Sequence, residues 1–452
     1  MDASLREKLA GIAPVLDGTA SAYLNDSTEI RGLQGRADAV VAPSSADEVA
    51  ALLRWCYEHD VPLVPRGGGT GYAGGAVPDG GVLLTLERMN RVRAFDPLLW
   101  RMHVEAGVTT GDVRRLAREH GLLFPPDPGG AEQSQIGGNI ATNAGGPHAF
   151  KYGVTGKWVT GLEVVVAPGE VIAVGGPTRK DVAGYDLRSL FVGSEGTLGI
   201  VTAAWLRLVP APEAAYPVAA FYDGIEAGCD AILRILGSGL EVATIEYLDG
   251  GTLEAAGASF PVGMPPGAGF LVIAEADGSA AEAARLRDET VSVLSQGALS
   301  VTAASSPDEI ATLWRWRDGV TFAVTARLGG KVSEDIAVPL DRIAEAMEET
   351  LEIGRRLGLP ACSWGHAGDG NLHSTFLIEP GAEQLERASA AADALLAMAI
   401  RLGGTVSGEH GLGVVRSGWL TRQWGARAAE LHGEIKRVFD PKNLLNPGKK
   451  LA

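Results

Sequence analysis

Cysteine is scarce in this chain of 452 residues, which contains only Cys56, Cys229 and Cys362. They are odd in number, far apart and in no metal or redox spacing, which favours a reducing compartment without structural disulfides. Long apolar runs are also missing, since none reaches the roughly 18 residues of a membrane-spanning helix. The start lacks a basic stretch followed by an apolar one, so no secretory signal is expected. These absences together predict a cytoplasmic protein.

Positive charge is in deficit. The chain has 39 lysines and arginines against 55 aspartates and glutamates, and its formal net charge is −16. This balance argues against nucleic acid and against an anionic membrane surface as partners. It leaves a small anionic substrate open, because local charge within a Debye length of roughly 8–10 Å outweighs the total.

The length favours two or three domains. Up to residue 212 short strands alternate with glycine-rich loops, and Pro210-Ala-Pro212 marks a boundary. From 213 to 440 long amphipathic helices alternate with strands, which predicts a second, α+β domain. Ser45 and Glu48 predict a capping box at the start of a helix. Further helices are predicted at 113–120, 226–237, 280–294, 310–326, 340–357 and 382–402. Strands are predicted at 61–64, 81–86, 161–166, 199–208, 269–276 and 331–338.

Glycine, with 61 residues, is unusually clustered. Residues 65–75 contain the spacing G-x-G-x-x-G at Gly69, Gly71 and Gly74. A Rossmann fingerprint would open a helix here, but Pro78 and the following glycines cannot start a long one. What remains is a loop whose backbone N–H groups can converge on an anion. For this loop alone, an ordinary glycine-rich turn is an equally good interpretation.

Two more loops of small residues favour the ligand interpretation. Residues 125–130 lead into 136–146, which carry Asn139, Thr142 and Asn143, and residues 193–199 enter a predicted strand. Three such loops within about 130 residues indicate backbone wrapped closely around one large, flat, polar ligand.

Two histidine motifs carry the candidate chemistry. His366 and His373 flank a Gly-Asp-Gly turn that can bring both imidazoles together. With one carboxylate they would make a divalent-metal site that keeps open positions, whereas alone they are more often ordinary histidines beside a turn. Glu409 and His410 stand side by side between glycines, so one can ligate a metal while the other faces substrate.

A predicted helix adds an arginine. Arg317 and Thr321 are four residues apart and therefore share a helix face. On sequence alone, such an arginine is most often a solvated surface group.

With these motifs assembled, the sequence resembles the vanillyl-alcohol oxidase/p-cresol methylhydroxylase superfamily of FAD enzymes. Within it, the chain is similar to the branch of D-lactate dehydrogenases, D-2-hydroxyglutarate dehydrogenases and the flavin subunit of glycolate oxidase. The matching stretches span nearly the whole chain: 65–75, 125–146, 185–202, 366–373, 407–413 and 439–448.

The resemblance implies an α+β fold in three segments. Residues 1–212 would form a two-part FAD-binding domain, and residues 213–440 an α+β substrate (cap) domain with an antiparallel sheet. Residues 441–452 would return to the FAD domain.

The resemblance also implies which residues hold FAD. The first loop would bind the pyrophosphate, the second would follow the ribityl and isoalloxazine, and the third would flank the adenine end. Arg66–Gly75 contain no histidine and the second segment no cysteine, so the FAD is expected to be non-covalent. The implied contacts are Arg66, Gly67, Gly68, Gly69, Thr70, Gly71, Gly74, Pro128, Gly129, Ile136, Gly137, Asn139, Thr142, Ala144, Glu195, Gly199, Ile200 and Asn446.

The same resemblance implies a metal and a substrate site. His366, His373 and Glu409 would ligate a divalent metal, with zinc expected and manganese or iron as alternatives. His410 would act as general base, since an ordinary histidine suits that task near neutral pH. Arg317 and Thr321 would bind the substrate carboxylate. Lys331 is a further contact, although the adjacent Ser333-Glu-Asp-Ile departs from the expected pattern.

The predicted reaction is oxidation of a D-2-hydroxy acid to the 2-oxo acid, with hydride transfer to flavin N5. Ser374-Thr-Phe stands where members acting on a second carboxylate tend to supply an asparagine, which favours D-lactate or glycolate. A D-2-hydroxyglutarate or other dicarboxylate dehydrogenase, the flavin subunit of a multi-component oxidase and a non-catalytic flavin or metal protein remain alternatives. The electron acceptor (electron-transfer flavoprotein, quinone, cytochrome or oxygen) and the oligomeric state, a homodimer included, are left open.

Overall fold

The computed structural model describes residues 3–16 and 20–451. The chain divides into two compact units, each built from separate stretches. The first unit comprises Met1–Gly146, Gly153–Ala211 and Glu409–Ala452, and the second comprises Pro147–Tyr152 and Pro212–Gly408.

The elements are numbered in chain order. The helices are α1 (Ala3–Ala10), α2 (Ala46–Glu58), α3 (Thr110–Arg118), α4 (Ile136–Thr142), α5 (Ala149–Tyr152), α6 (Leu187–Phe191), α7 (Ile225–Ser238), α8 (Gly250–Ala256), α9 (Ala280–Leu294), α10 (Pro307–Ala326), α11 (Ile343–Leu357), α12 (Ala382–Arg401), α13 (Leu420–Trp424) and α14 (Ala426–Phe439). The strands are β1 (Val15–Leu16), β2 (Ala39–Val41), β3 (Leu63–Arg66), β4 (Val82–Thr85), β5 (Val92–Asp96), β6 (Arg101–Glu105), β7 (Leu122–Leu123), β8 (Val159–Val166), β9 (Glu170–Gly175), β10 (Ile200–Arg207), β11 (Val209–Pro210), β12 (Ala214–Tyr222), β13 (Thr244–Asp249), β14 (Phe270–Gly278), β15 (Ser300–Ala303), β16 (Gly330–Ala337), β17 (Ala361–His366) and β18 (Asn371–Ile378).

The first unit contains a small sheet in the order β1-β2-β4-β3, in which β4 runs parallel to both β2 and β3. The apolar stripe of α2, with Val49, Leu52 and Leu53 fully buried, packs into the same core as Leu63 of β3. This packing fixes the end of β3, from which the first glycine-rich loop departs.

A second sheet of the first unit, in the order β5-β6-β10-β8-β9, is antiparallel throughout. Most residues of β8 and β10 are buried, which explains why both strands were predictable from sequence. The third small-residue loop, 193–199, leads directly into β10.

The second unit is built on a seven-stranded antiparallel sheet in the order β15-β12-β14-β13-β17-β18-β16. Strands β17 and β18 form a hairpin around Gly370, whose φ of +69° is the left-handed conformation that glycine adopts readily. Helix α10 contributes Leu313, Val320 and Val324 to the hydrophobic core of this unit.

The helix predictions are confirmed with small shifts at their ends. The predicted 280–294 corresponds to α9 (Ala280–Leu294), and the predicted 310–326 starts earlier in α10, at Pro307. The predicted capping box at α2 is half right. Ser45 accepts from the N–H of Glu48, but the Glu48 carboxylate accepts from the N–H of Ser44 rather than Ser45.

The compact units differ from the predicted segments at residues 147–152, which belong to the second unit, and at the end of the second domain. The prediction placed the end of the second domain at residue 440, whereas the second unit ends at Gly408. The physical reason lies in polar contacts within the first unit. Lys436 of α14 donates to the Thr197 carbonyl at 2.7 Å, and the Glu195 carboxylate accepts from the N–H groups of Leu412 and Gly413.

Candidate functional site

A cleft in the first unit is lined by all three small-residue loops. Its walls are residues 65–73 with 75 and 76, residues 194–196 and 199–201, and parts of 128–145, joined by Glu409 and His410. The sequence therefore predicted correctly that the three loops converge.

The first two loops approach each other so closely that side chains are excluded. A Cβ on Gly68 would stand 2.0 Å from the Gln133 carbonyl oxygen, and one on Gly67 would stand 3.2 Å from the Cα of Gly138. Gly69 has a φ of +69°, in the left-handed region. The close backbone contacts require glycine at positions 67 and 68, and the positive φ favours it at 69. The two loops together form a cradle suited to a flat ligand.

The predicted FAD contacts line this cleft, with three exceptions. Ile136 is fully buried at the start of α4. Gly74 faces Leu33 and Val414. Asn446 is buried, and its Nδ2 donates to the carbonyls of Gly75 at 2.9 Å and of Glu195 at 2.8 Å. Through these two bonds Asn446 ties the cleft walls together.

The Arg66 side chain has a structural task. Its guanidinium donates to the carbonyls of Asn25 at 2.6 Å and Ala22 at 3.2 Å, and burial lowers its pKa. Two buried polar atoms in the cleft lining, Asp26 Oδ2 and Gln135 Oε1, have no hydrogen-bond partner among the described residues. Partners from a polar ligand such as FAD fit these positions.

Glu409 and His410 belong to the first unit, on the loop that enters this cleft. The His410 imidazole stacks on the Tyr72 ring, with centroids 4.8 Å apart. The loop after His410 is fixed by the Glu195 carboxylate and by Arg416, which is fully buried and donates to the Gly411 carbonyl at 3.1 Å. Glu195 therefore has two tasks: it lines the cleft, and its carboxylate positions the loop that follows His410.

The second unit gathers the two histidines of the first motif. His366 ends β17, and His373 lies on β18 opposite Trp364. Since Trp364 and His366 are two residues apart on one strand, all three side chains share a sheet face. The two imidazoles are buried, with ring centroids 5.2 Å apart and at right angles. The predicted hairpin that brings them together is therefore observed.

Glu246 joins this cluster from the neighbouring strand. It lies opposite His366 in the β13–β17 register and is fully buried. Its Oε1 is 2.6 Å from His366 Nδ1, and its Oε2 is 2.5 Å from the Arg317 Nη2. Burial alone would raise the pKa of Glu246, but attraction to His366 and Arg317 holds it at about 2. Arg317 is accordingly a buried, ion-paired residue rather than a solvated one.

Lys331 and Thr321 meet within the same unit. The Lys331 Nζ donates to the carbonyl oxygen of Thr321 at 3.1 Å and also bonds its hydroxyl. The ammonium group lies over the Trp364 ring, 5.0 Å from its centroid. Burial lowers the pKa of Lys331 to about 8.

Asp335 is a second carboxylate beside the histidines. It pairs with His373 in the β16–β18 register, and its Oδ1 is 3.9 Å from His373 Nδ1. It also accepts from Asn371 at 2.7 Å and from the Ser407 hydroxyl at 3.0 Å. Asp335 belongs to the stretch whose departure from the expected pattern made the Lys331 alignment insecure.

Sequence reasoning missed Glu246, Asp335 and Tyr72. The sequence signal for Asp335 was the pair of adjacent acidic residues, Glu334 and Asp335, inside a predicted strand. The signal for Glu246 was a charged residue between apolar ones in Thr-Ile-Glu-Tyr-Leu-Asp, all six of which are buried in β13. Tyr72 lies within the glycine-rich loop 65–75, and the prediction for this loop was based on its small residues alone.

Comparison with protein families matches both parts of the chain. Residues 37–175 match the model described as "FAD binding domain", and residues 211–450 match "FAD linked oxidases, C-terminal domain". The chain belongs to the FAD-linked oxidase family. The predicted family, and with it the prediction of an FAD-dependent oxidoreductase, is confirmed.

Curated relatives of this FAD-linked oxidase align along almost their whole length. A glycolate oxidase subunit GlcD of Bacillus subtilis is 39% identical over 93% of this chain and 90% of its own. A D-lactate dehydrogenase of Anaerostipes hadrus is 33% identical over 98% of this chain and 96% of its own. A D-2-hydroxyglutarate dehydrogenase of Xanthomonas citri pv. viticola is 36% identical over 91% of this chain and 88% of its own.

Solved structures share the fold. Substrate-bound p-cresol methylhydroxylase has a TM-score of 0.78 at 18% identity and covers 99% of this chain and 96% of its own. A 4-ethylphenol oxidase from Gulosibacter chungangensis has a TM-score of 0.74 at 19% identity and covers 100% of this chain and 93% of its own. The predicted fold class is confirmed.

Among the described residues, each helix is too short or too polar to cross a bilayer.

Proposed function

We propose that this protein oxidises a D-2-hydroxy acid to the corresponding 2-oxo acid, using FAD and a divalent metal. The observation that carries the proposal is the cluster on the sheet of the second unit. There two buried imidazoles 5.2 Å apart share a face with Glu246, which pairs with the buried Arg317. The names of the relatives support the proposal, because glycolate, D-lactate and D-2-hydroxyglutarate are all 2-hydroxy acids.

The proposed metal ligands are His366, His373 and Glu409. The donor set fits, because imidazole nitrogens and a carboxylate suit zinc, with manganese or iron as alternatives. Asp335, 3.9 Å from His373, is a further carboxylate that could complete or orient the set. When bound, the metal would lower the pKa of the substrate hydroxyl, and FAD would accept the hydride at N5.

The residues of the chain supply the remaining steps. His410, held in place by Tyr72 and the Glu195-bound loop, would take the hydroxyl proton as general base. Arg317 would clamp the substrate carboxylate, and Lys331 with Thr321 would support it. Arg317 Nε is buried without a hydrogen-bond partner among the described residues, as expected of a donor that a carboxylate would satisfy.

The FAD is proposed to be non-covalent. The cleft lining has one histidine, His410, and no cysteine among its described residues, and His410 has another proposed task. Acid precipitation should leave the yellow colour in the supernatant. A yellow pellet would show covalent attachment and contradict this part of the proposal.

The favoured substrates are D-lactate and glycolate. Ser374 and Phe376, after the second histidine, are fully buried, and the Thr375 hydroxyl is bonded to Ser333 at 2.8 Å. These side chains already pack against or bond to the protein, so fewer polar groups remain to bind a second carboxylate of the substrate. A clear preference for D-2-hydroxyglutarate or D-malate in steady-state reduction would overturn the choice.

The decisive experiment is a stopped-flow screen of D-2-hydroxy acids for bleaching of the flavin absorbance, with and without chelator. We expect rapid bleaching by D-lactate or glycolate that chelator slows. No bleaching by any 2-hydroxy acid would overturn the function, and bleaching that chelator leaves unchanged would overturn the metal.

A second candidate is the flavin subunit of a multi-component oxidase, which the name of the Bacillus subtilis relative suggests. Turnover by the isolated chain with an artificial acceptor would favour a stand-alone enzyme passing electrons to an electron-transfer flavoprotein, quinone or cytochrome. Flavin reduction without turnover would favour the subunit.

A further inference from the structure

Glu246 connects the two halves of the proposed substrate site. Its carboxylate is fully buried at the centre of β13, and its two oxygens face different partners. One oxygen is 2.6 Å from a nitrogen of His366, and the other is 2.5 Å from a nitrogen of Arg317. We propose that Glu246 is a positioning residue that orients His366 for the metal and Arg317 for the substrate carboxylate. This inference rests on the proposed function.

The contact with His366 selects one tautomer. A carboxylate only accepts hydrogen bonds, so Nδ1 of His366 must be the donor. The lone pair of the neutral ring then lies on Nε2, which is the nitrogen that would ligate the metal. Carboxylate–histidine pairs of this kind fix the ring orientation and raise the basicity of metal-binding histidines.

The contact with Glu246 supplies a carboxylate partner for the buried guanidinium of Arg317. Arg317 is buried, and its pairing with Glu246 uses Nη2. The Nε atom remains buried without a partner among the described residues. A guanidinium held by one nitrogen keeps its other donors for a planar carboxylate, which needs paired hydrogen bonds.

The chain offers a matched control in the adjacent strand. Glu275 of β14 is also a buried carboxylate, and it accepts from His148 Nε2 at 2.8 Å and from Trp314 Nε1 at 2.8 Å. It therefore pairs with one histidine and one side chain of α10, as Glu246 does, but with neither His366 nor Arg317. Loss of a buried carboxylate as such should affect both positions equally.

The test compares Glu246→Gln and Glu275→Gln in the FAD-loaded protein. Zn²⁺ affinity is measured by competition with a chromophoric chelator, which needs no turnover. Glu246→Gln keeps the size but loses the charge, and we expect its Zn²⁺ affinity to fall roughly 10–100-fold. At saturating Zn²⁺ its KM for the 2-hydroxy acid should stay raised, because Arg317 has lost its anchor. Glu275→Gln should keep the affinity and KM of the wild type.

The conservative variant Glu246→Asp keeps the charge and should lie between the wild type and Glu246→Gln in both measurements. It also serves if Glu246→Gln fails to fold. Wild-type affinity and KM in a folded Glu246 variant would overturn the inference while the proposed function stands. A wild-type protein that binds no Zn²⁺ and turns over equally with chelator would instead overturn the metal site.

Discussion

At the scale of single residues, burial decides which charges the proposed site can use. Lys331 lies over an indole ring, and among the described residues its ammonium group bonds only to Thr321, so water stabilises its charge little. Arg317 is buried more fully than Lys331, and it has a carboxylate partner in Glu246. The two cations therefore differ in their partners, and a rise of pH through about 8 should remove the charge of Lys331.

This difference predicts a pH limit on substrate binding. Burial lowers the pKa of Lys331 from 10.5 to about 8, so the side chain is a cation at pH 7 and loses its charge above about pH 8. We expect kcat/KM to fall through this range because KM rises. Lys331→Arg should shift the fall to higher pH, since arginine stays charged. Identical pH profiles for both proteins would contradict the prediction.

The same shift has a consequence for stability. Between pH 8 and 10.5 the Lys331 side chain holds a proton in the unfolded chain that it has lost in the folded protein. Its contribution to the free energy of unfolding therefore increases as the pH rises through that window.

Arg317→Lys tests the carboxylate clamp. Lysine keeps the charge beside Glu246 but cannot make paired hydrogen bonds, and a hydrogen bond to a charged group is worth about 1.5–3 kcal/mol. We expect kcat/KM to fall roughly tenfold or more. Arg315→Lys is the control, because Arg315 lies on the same helix, is exposed and bonds only to Thr312 in the described contacts. Equal kinetics in the two variants would exclude Arg317 as the clamp.

At the scale of elements, the glycine-rich loops and the β17–β18 hairpin were predictable because their information is local. Glycine clusters indicate close backbone approach, and Gly-Asp-Gly indicates a turn. Glu246 could not be assigned, because 120 residues separate it from His366 and only the sheet order places β13 beside β17. Asp335 meets His373 through the register of β16 and β18, which sequence patterns also leave undetermined.

The first loop offers a test of backbone cradling. A methyl group on Gly68 would stand 2.0 Å from a backbone carbonyl oxygen, whereas one on Gly176, outside the cleft lining, would have no atom within 4 Å. We expect Gly68→Ala to be purified with much less FAD than wild type and Gly176→Ala to keep it. The flavin-to-protein absorbance ratio measures both. Equal FAD content in the two variants would contradict the cradle.

At the scale of the whole molecule, the resemblance predicted that the chain returns to the first domain at residue 441, whereas the last stretch of the first unit begins at Glu409. Composition changes near residue 212, and the structure places a boundary there. The sequence pattern does not change at residue 408, because helices and loops alternate both before and after it. Stretch 147–152 is short, and side-chain bonds join it to the rest of the second unit, such as that of Lys151 with Asp277 at 2.5 Å.

Asn446→Ala tests how far the first unit depends on its last stretch. The buried amide donates to two carbonyls, and leaving them unsatisfied should cost about 1–3 kcal/mol each. We expect a lower melting temperature and faster loss of FAD on dilution. An unchanged melting temperature with unchanged FAD retention would show that these bonds contribute little.

The order of synthesis determines when the C-terminal residues 441–452 can complete the first unit. Leu63, made early on the ribosome, pairs its N–H with the Leu444 carbonyl and its own carbonyl with the N–H of Asn446. The glycine cradle that follows Leu63 therefore waits for about 380 residues of translation before its final neighbours exist. FAD capture should accordingly be a late, post-translational event, and a nascent chain stalled before residue 440 should emerge colourless.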